Sequence, residues 1–136
     1  MASSIVRKII HTSKGPKNIG PFSQAVQVNE TLYISGQIGV IPETMEIVPG
    51  GAAAEVDQVL KNIGVILEAA GTSFDKVIKA TVLLKNINDF AAVNEVYAKY
   101  FPSKQPARVC YQVVALPKGA NVEIEAVAVV GNVTDS

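Results

Sequence analysis

The sequence has few of the residues on which most metal and nucleophilic sites depend. Its 136 residues include one cysteine, Cys110, one histidine, His11, and no tryptophan. A single cysteine excludes an intramolecular disulfide and any cysteine-based metal cluster, and it favours a reducing compartment. A single histidine leaves too little material for a histidine-ligated metal or a Ser-His-Asp site. We therefore expect no metal site.

Charge of one sign and long apolar runs are also lacking. Twelve basic and twelve acidic residues cancel, so no long-range field attracts nucleic acid or anionic membranes. No run approaches the ~20 apolar residues of a membrane helix. The N-terminal stretch has Arg7, Lys8, Lys14 and Lys17 but no acid before Glu30, a composition faintly like a mitochondrial presequence. We expect a cytosolic protein, with a mitochondrial or nuclear pool as the alternative, and neither nucleic acid nor membrane as a partner.

The common nucleotide-binding and hydrolase motifs are absent. The sequence contains no G-x-G-x-x-G after a strand, no P-loop, no zinc-ligand spacing and no G-x-S-x-G elbow. Nothing resembles the aromatic strands that stack RNA bases. Chemistry without a cofactor, or no chemistry, is what remains.

The length predicts one domain over residues 1–136. Hydrophobic residues make up 49% of the chain and charged residues 18%. This apolar surplus hints at a buried interface between subunits, because obligate interfaces are more apolar than ordinary surface.

Hydrophobic periodicity predicts the elements in the order β-β-β-α-β-α-β-β. Helices are expected at 52–70, capped by Gly71, and from a cap at Asn88 or Asp89 to Pro102. Strands are expected at 4–11, 25–28, 32–37, 74–85 and in two segments of 106–129. The result is an α+β domain with one mixed sheet and two helices on one face, and a ferredoxin-like arrangement would also suit the central order. The sheet's other face is left for another subunit.

The closing stretch, 106–129, reads as two strands joined by a turn at 116–119. Alternation places Arg108 on one face with Cys110 and Gln112, and it places Glu123 on one face of the next strand. Pairing these strands would bring Arg108 towards Glu123. The competing interpretation is an ordinary surface ion pair, worth about 0–1 kcal/mol.

Several motifs together resemble the RidA/YjgF family, the reactive-intermediate deaminases, and its animal branch, the liver perchloric-acid-soluble or heat-responsive proteins. The matching stretches span nearly the whole chain in order: IGPFSQAV at 19–26, YISGQIG at 33–39, KATVLLKNINDFAAVNEVY at 79–97 and PARVCYQVVALPKGANVEIEAVAV at 106–129. The resemblance implies a chorismate-mutase-like fold, a homotrimer with sites in clefts between subunits, and a metal- and cofactor-independent hydrolase. Its reaction would convert enamine and imine intermediates of pyridoxal-phosphate enzymes, such as 2-iminobutanoate and 2-iminopropanoate, to 2-oxo acids and ammonia.

The resemblance also implies roles for two charged residues. Arg108 corresponds to the arginine that binds the substrate carboxylate, for which a planar guanidinium offers two parallel donors. Glu123 corresponds to the glutamate that positions the attacking water, and a carboxylate can act as a general base. We expect the two side chains to meet at one pocket, against a neighbouring subunit.

The remaining expected substrate contacts are Ser35, Gly36, Asn94, Cys110 and Phe22. Phe22 departs from the family pattern, which has G-P-Y at that position, and keeps an aromatic wall without the hydroxyl. Two other functions stay open: an endoribonuclease or translation inhibitor acting on RNA, and a non-catalytic ligand-binding or chaperone-like protein.

Overall fold

The computed structural model describes residues 4–136, so the first three residues of the expected domain lie outside it. Six strands form one sheet in the order β1-β2-β3-β6-β4-β5, with only β4 and β5 parallel. Both helices pack on one face, so the predicted α+β architecture and element order are confirmed. The strands are β1 (Arg7–Ile10), β2 (Ala25–Val28), β3 (Thr31–Ile38), β4 (Val77–Leu84), β5 (Ala107–Gln112) and β6 (Val122–Val129), and the helices are α1 (Gly51–Ala69) and α2 (Phe90–Tyr100).

Strand β3 contains a bulge that matters for the site. Its partner register with β6 runs from Ile34 opposite Ala126 to Gln37 opposite Ile124. Ser35 and Gly36 therefore lie together against a single β6 residue. Bulges locally redirect the strand and its side chains, and this one lies directly beside the β6 segment that begins at Val122.

The C-terminal end of α1 agrees with the sequence prediction in full, and the start of α2 agrees with it in part. Gly71 has φ 80°, and its N–H donates to the Glu68 carbonyl at the end of α1, as expected for a left-handed cap. Asp89 is the N-cap residue of α2, as predicted, but its side chain accepts no capping hydrogen bond. The Asn86 side chain instead accepts a hydrogen bond from the Asn88 N–H, at 2.9 Å, and caps a short 3₁₀ turn that leads into α2.

Helical periodicity places Glu55 on the outer side of α1, but the structure buries it. Only 2% of Glu55 is exposed, and its carboxylate accepts hydrogen bonds from the Asn121 N–H, at 2.8 Å, and from the Asn121 side-chain amide. Gly39 allows this approach, because a Cβ there would lie 2.7 Å from the Glu55 carbonyl oxygen. Glu55 thus ties α1 to the segment just before β6.

The sheet has one buried face and one open face. Along β6, Val122, Ile124, Ala126 and Ala128 are buried towards the helices. Across the open face, the exposed large side chains include the apolar or aromatic Tyr33, Val109 and Tyr111 together with the charged Lys79 and Glu125.

The predicted hairpin of the last two strands is wrong, because β4 lies between β5 and β6. Strand β5 returns from α2 and pairs parallel to β4 at the outer edge of the sheet. The chain then crosses the end of β4 and enters the slot between β4 and β3 as β6. The segment predicted as a hairpin turn forms a 3₁₀ turn, Pro117–Gly119, in which Lys118 has φ 57°.

Candidate active site

Four of the predicted site residues line one pocket of about 350 Å³. Gly36 and Ser35 come from the β3 bulge, Glu123 comes from β6, and Phe22 comes from the loop before β2. We call these four residues the glutamate half-site. The rest of the wall is mostly apolar, with two lysines and two amide side chains, and it comes from the surrounding loops and from the end of β3: Pro16, Lys17, Asn18, Ile19, Gln37, Ile38, Val40, Met45, Pro117 and Lys118.

The Glu123 carboxylate is half-buried and lies against the bulge. A Cβ at Gly36 would be 2.6 Å from Glu123 Oε2 and 3.0 Å from Cδ, so only glycine leaves the carboxylate in this position. Burial raises the pKa of Glu123 above its ordinary value, and the neighbouring Glu125 charge raises it further. A carboxylate with a raised pKa is a stronger base at neutral pH than an exposed one.

Ser35 holds the loop that carries Phe22. Its hydroxyl donates to the Ser23 carbonyl at 2.6 Å, and its N–H donates to the Gln24 carbonyl at 3.0 Å. Gln24 is itself buried and donates to the Pro16 carbonyl at 2.9 Å. Phe22, which is 45% exposed, therefore stands on a loop that is fixed at both sides.

Arg108 belongs to a second group of residues, on β5 and α2. Its guanidinium carbon lies 4.8 Å from the centre of the Tyr97 ring and 5.7 Å from that of Phe90. Within residues 4–136 it forms no salt bridge and no hydrogen bond of normal geometry, although it approaches the Tyr97 hydroxyl closely enough to oppose the rise that burial causes in the pKa of Tyr97. The two rings hold the guanidinium, and its N–H donors stay free for an anion.

Two other predicted residues accompany Arg108. Cys110 follows two positions later on the same face of β5 and packs against the core. Burial raises the pKa of its thiol, against the opposing effect of the Arg108 charge, so a neutral thiol is favoured. Asn94 lies between Phe90 and Tyr97 along α2, at the i+4 and i−3 spacing that puts all three on one side of the helix. We call Arg108, Asn94 and Cys110 the arginine half-site.

A single chain does not bring the two half-sites together. Arg108 is level with Ala80 of β4, which in turn pairs with Ala126 of β6, and this row faces the helices. Glu123 pairs with Leu83 and points to the open face. The expectation that strand pairing places Arg108 beside Glu123 is therefore wrong within one chain.

Sequence reasoning found the charged residues but missed their surroundings. The apolar spacing of the second helix predicts that Phe90 and Tyr97 are packing residues, but no local pattern in the sequence predicts that Arg108 lies on their rings. That contact depends on the parallel register of β4 and β5. Lys118 was missed as part of the pocket wall, because its position depends on the left-handed backbone of a loop.

Residues 4–136 contain neither a cluster of metal-ligand side chains nor a membrane-spanning helix. No three His, Cys, Asp or Glu side chains cluster as metal ligands would. Neither α1 nor α2, nor any shorter helical turn described, is long and apolar enough to cross a membrane.

Comparison with known proteins identifies the family. A family model described as Endoribonuclease L-PSP matches residues 12–130. The chain belongs to this family, also called RidA/YjgF. A Bos taurus protein named 2-iminobutanoate/2-iminopropanoate deaminase is 61% identical over 132 residues, which cover 97% of this chain and 96% of the bovine protein.

Solved structures of the RidA/YjgF family give the same fold. RidA from the Antarctic bacterium Psychrobacter superposes with a TM-score of 0.88 at 47% identity, covering 90% of this chain and 99% of that one. Escherichia coli TdcF with bound serine superposes with a TM-score of 0.87 at 42% identity, covering 91% of this chain and 99% of that one. The predicted RidA-like, chorismate-mutase-like fold is confirmed.

Proposed function

We propose that this protein is a 2-iminobutanoate/2-iminopropanoate deaminase that hydrolyses reactive imines to 2-oxo acids and ammonia. The bovine relative carries that name and matches almost the whole chain. The structural observation that carries the proposal is a pair of charged groups suited to the reaction. Arg108 has a guanidinium with free donors, and Glu123 has a half-buried carboxylate with a raised pKa.

We further propose a homotrimer in which the site forms between chains, with Arg108 of one copy facing Glu123 of the next. Two observations support this arrangement. The half-sites lie on opposite faces of one sheet, and the open face exposes apolar residues such as Val109 and Tyr111 that a second copy would cover. Contiguous exposed apolar surface commonly marks an interface.

The chemistry follows from the two groups. Arg108 binds the substrate carboxylate through two parallel N–H donors, a charged contact worth about 1.5–3 kcal/mol. The protonated imine carbon is already electrophilic, so Glu123 needs only to orient a water molecule and accept its proton. Glu123 then returns this proton to the nitrogen of the carbinolamine, the C–N bond breaks, and ammonia leaves as ammonium with the hydroxyl proton as the carbonyl forms. Water supplies the new oxygen, and the nitrogen leaves with the protons, so atoms and charge balance.

The other predicted residues shape the cleft. Gly36 gives Glu123 room, and Ser35 fixes the loop that presents Phe22 as an aromatic wall. Asn94 and Cys110 contact the substrate from the arginine half-site, with the thiol as a small neutral surface. We place this activity in the cytosol, with a mitochondrial or nuclear pool as the alternative.

A coupled assay tests the activity. Threonine dehydratase generates 2-iminobutanoate in situ, and the protein should accelerate the appearance of 2-oxobutanoate and ammonia. Arg108→Ala and Glu123→Gln should each abolish the acceleration while the fold is retained. Wild-type rates in either variant would contradict the assigned roles.

A mixing experiment tests the composite site. Refolding Arg108→Ala and Glu123→Gln together should recover about a quarter of wild-type activity, because that share of clefts in randomly mixed cyclic trimers receives both intact residues. A site made within one chain would recover none.

RNA cleavage is the second candidate, and the name of the matching family model is what favours it. The zero net charge argues against strong RNA binding. Cleavage that persists in Arg108→Ala would come from another site. Saturable 2-oxo acid binding without imine hydrolysis would instead support the non-catalytic alternative.

A further inference from the structure

The Arg108 guanidinium is held in an unusual way for an arginine that lies partly inside a fold. Buried charges are normally paired with an opposite charge or fully hydrogen-bonded. Within the described residues, Arg108 has no salt-bridge partner and no hydrogen bond of normal geometry. Its guanidinium carbon lies 4.8 Å from the centre of the Tyr97 ring and 5.7 Å from that of the Phe90 ring. Both distances are within the range of cation–π attraction.

Tyr97 adds an independent observation. Only 6% of the residue is exposed, and its hydroxyl is buried without a hydrogen-bond partner in residues 4–136. A buried unpaired hydroxyl is costly and calls for an explanation. The Arg108 guanidinium nevertheless approaches this hydroxyl, because the Arg108 charge and a hydrogen bond from it oppose the rise that burial causes in the pKa of Tyr97. The Tyr97 ring packs against Phe101 on one side of α2 and supports Arg108.

We propose that Tyr97 and Phe90 form an aromatic shelf that positions Arg108 for carboxylate binding and so sets the affinity for 2-imino and 2-oxo acids. A salt bridge would fix the side chain equally well but would occupy its donors. Ring faces attract the cation without competing for its N–H groups, so the guanidinium stays oriented and unpaired. Tyr97 is the stronger positioning residue, because it is the closer and the more deeply buried of the two.

This role rests on the proposed function, and it predicts different effects on KM and on kcat. A guanidinium that binds the same carboxylate in the substrate and in the transition state contributes uniform binding, which affects KM rather than kcat. Tyr97→Leu keeps an apolar side chain but removes the ring. It should raise KM for the imine about tenfold with kcat nearly unchanged, and Phe90→Leu should have a smaller effect in the same direction.

A conservative variant and a matched control distinguish a positioning role of Tyr97 from a general loss of protein stability. Tyr97→Phe keeps the ring and should regain most of the affinity that Tyr97→Leu loses. Tyr100→Leu is the control. Tyr100 lies three residues later on α2, and its hydroxyl donates to Asp57 at 2.6 Å, away from Arg108. Its loss should lower thermal stability and leave KM as in the wild type.

The decisive measurement does not depend on turnover. Titration calorimetry with 2-oxobutanoate, an unreactive 2-oxo acid, should give a dissociation constant about tenfold higher for Tyr97→Leu and no measurable binding for Arg108→Ala. Equal affinity of wild type and Tyr97→Leu, no binding to wild type, or equal losses in Tyr97→Phe and Tyr97→Leu would overturn the shelf. If the affinities for 2-oxobutanoate fall in the expected order but the wild-type protein does not hydrolyse the imine, the proposed deaminase activity is refuted and the aromatic shelf is supported.

Discussion

A single methyl group at Gly36 should disable Glu123 without unfolding the protein. The Cβ of Gly36→Ala would lie 2.6 Å from Glu123 Oε2, whereas ordinary contacts begin at 3.4 Å, so the carboxylate must retreat by about 0.8 Å. A displacement of about 1 Å at a reacting group can reduce the rate 10²-fold, which is about 2.7 kcal/mol of barrier. Gly36 does not have a positive φ, so alanine fits its backbone and the thermal midpoint should change little.

The coupled dehydratase assay measures this loss, which we expect in kcat, and a double-mutant comparison tests its cause. In a Glu123→Ala background the new methyl group meets no carboxylate, so adding Gly36→Ala should cost almost nothing further. Wild-type kcat in Gly36→Ala would refute the reasoning, as would a full additional loss in the double variant.

Three further changes address pH dependence, stability and assembly. Glu125→Gln removes a like charge that raises the pKa of Glu123; because the base must be ionised, the acid limb of kcat/KM should move to lower pH, and an unmoved limb would contradict this coupling. Glu55→Ala strips both hydrogen-bond acceptors from Asn121 and should lower the free energy of unfolding in urea by about 1.5–3 kcal/mol at fixed protein concentration. Tyr111→Asp places a charge on the open face of the sheet, and light scattering should find monomers without deaminase activity; an active monomer would exclude the composite site.

Local patterns in the sequence are sufficient to predict the individual helices and strands. The two-residue turn signal at Asn29 and Glu30 predicts the β2–β3 hairpin, and the 3.6-residue periodicity predicts α1 with its cap at Gly71. The structure contains both. Both features are set by neighbouring residues, so a single sequence contains what determines them.

The order of the strands in the sheet could not be predicted from local sequence patterns. A turn-like segment between two strands favours a hairpin, and the 3₁₀ turn at Pro117–Gly119 satisfies that pattern locally. Its flanking strands are nevertheless separated by β4, because β5 had already taken the outer edge through its parallel pairing. Such a choice depends on contacts far apart in sequence. The burial of Glu55 has the same origin, since its partner Asn121 is 66 residues away.

The separation of Arg108 and Glu123 in one chain has a physical advantage for the proposed reaction. At 4 Å in a partly buried site, with an effective dielectric constant near 20, the two charges would attract each other by about 4 kcal/mol. That pairing would lower the pKa of Glu123 and occupy the donors of Arg108, so each group would lose the property that its role requires. On opposite faces of the sheet, Arg108 keeps free donors on its aromatic shelf and Glu123 keeps a pKa raised by burial. In the proposed cleft between copies, Arg108 and Glu123 would face each other across the substrate rather than in contact, so that the substrate carboxylate neutralises Arg108 and Glu123 remains available to the water.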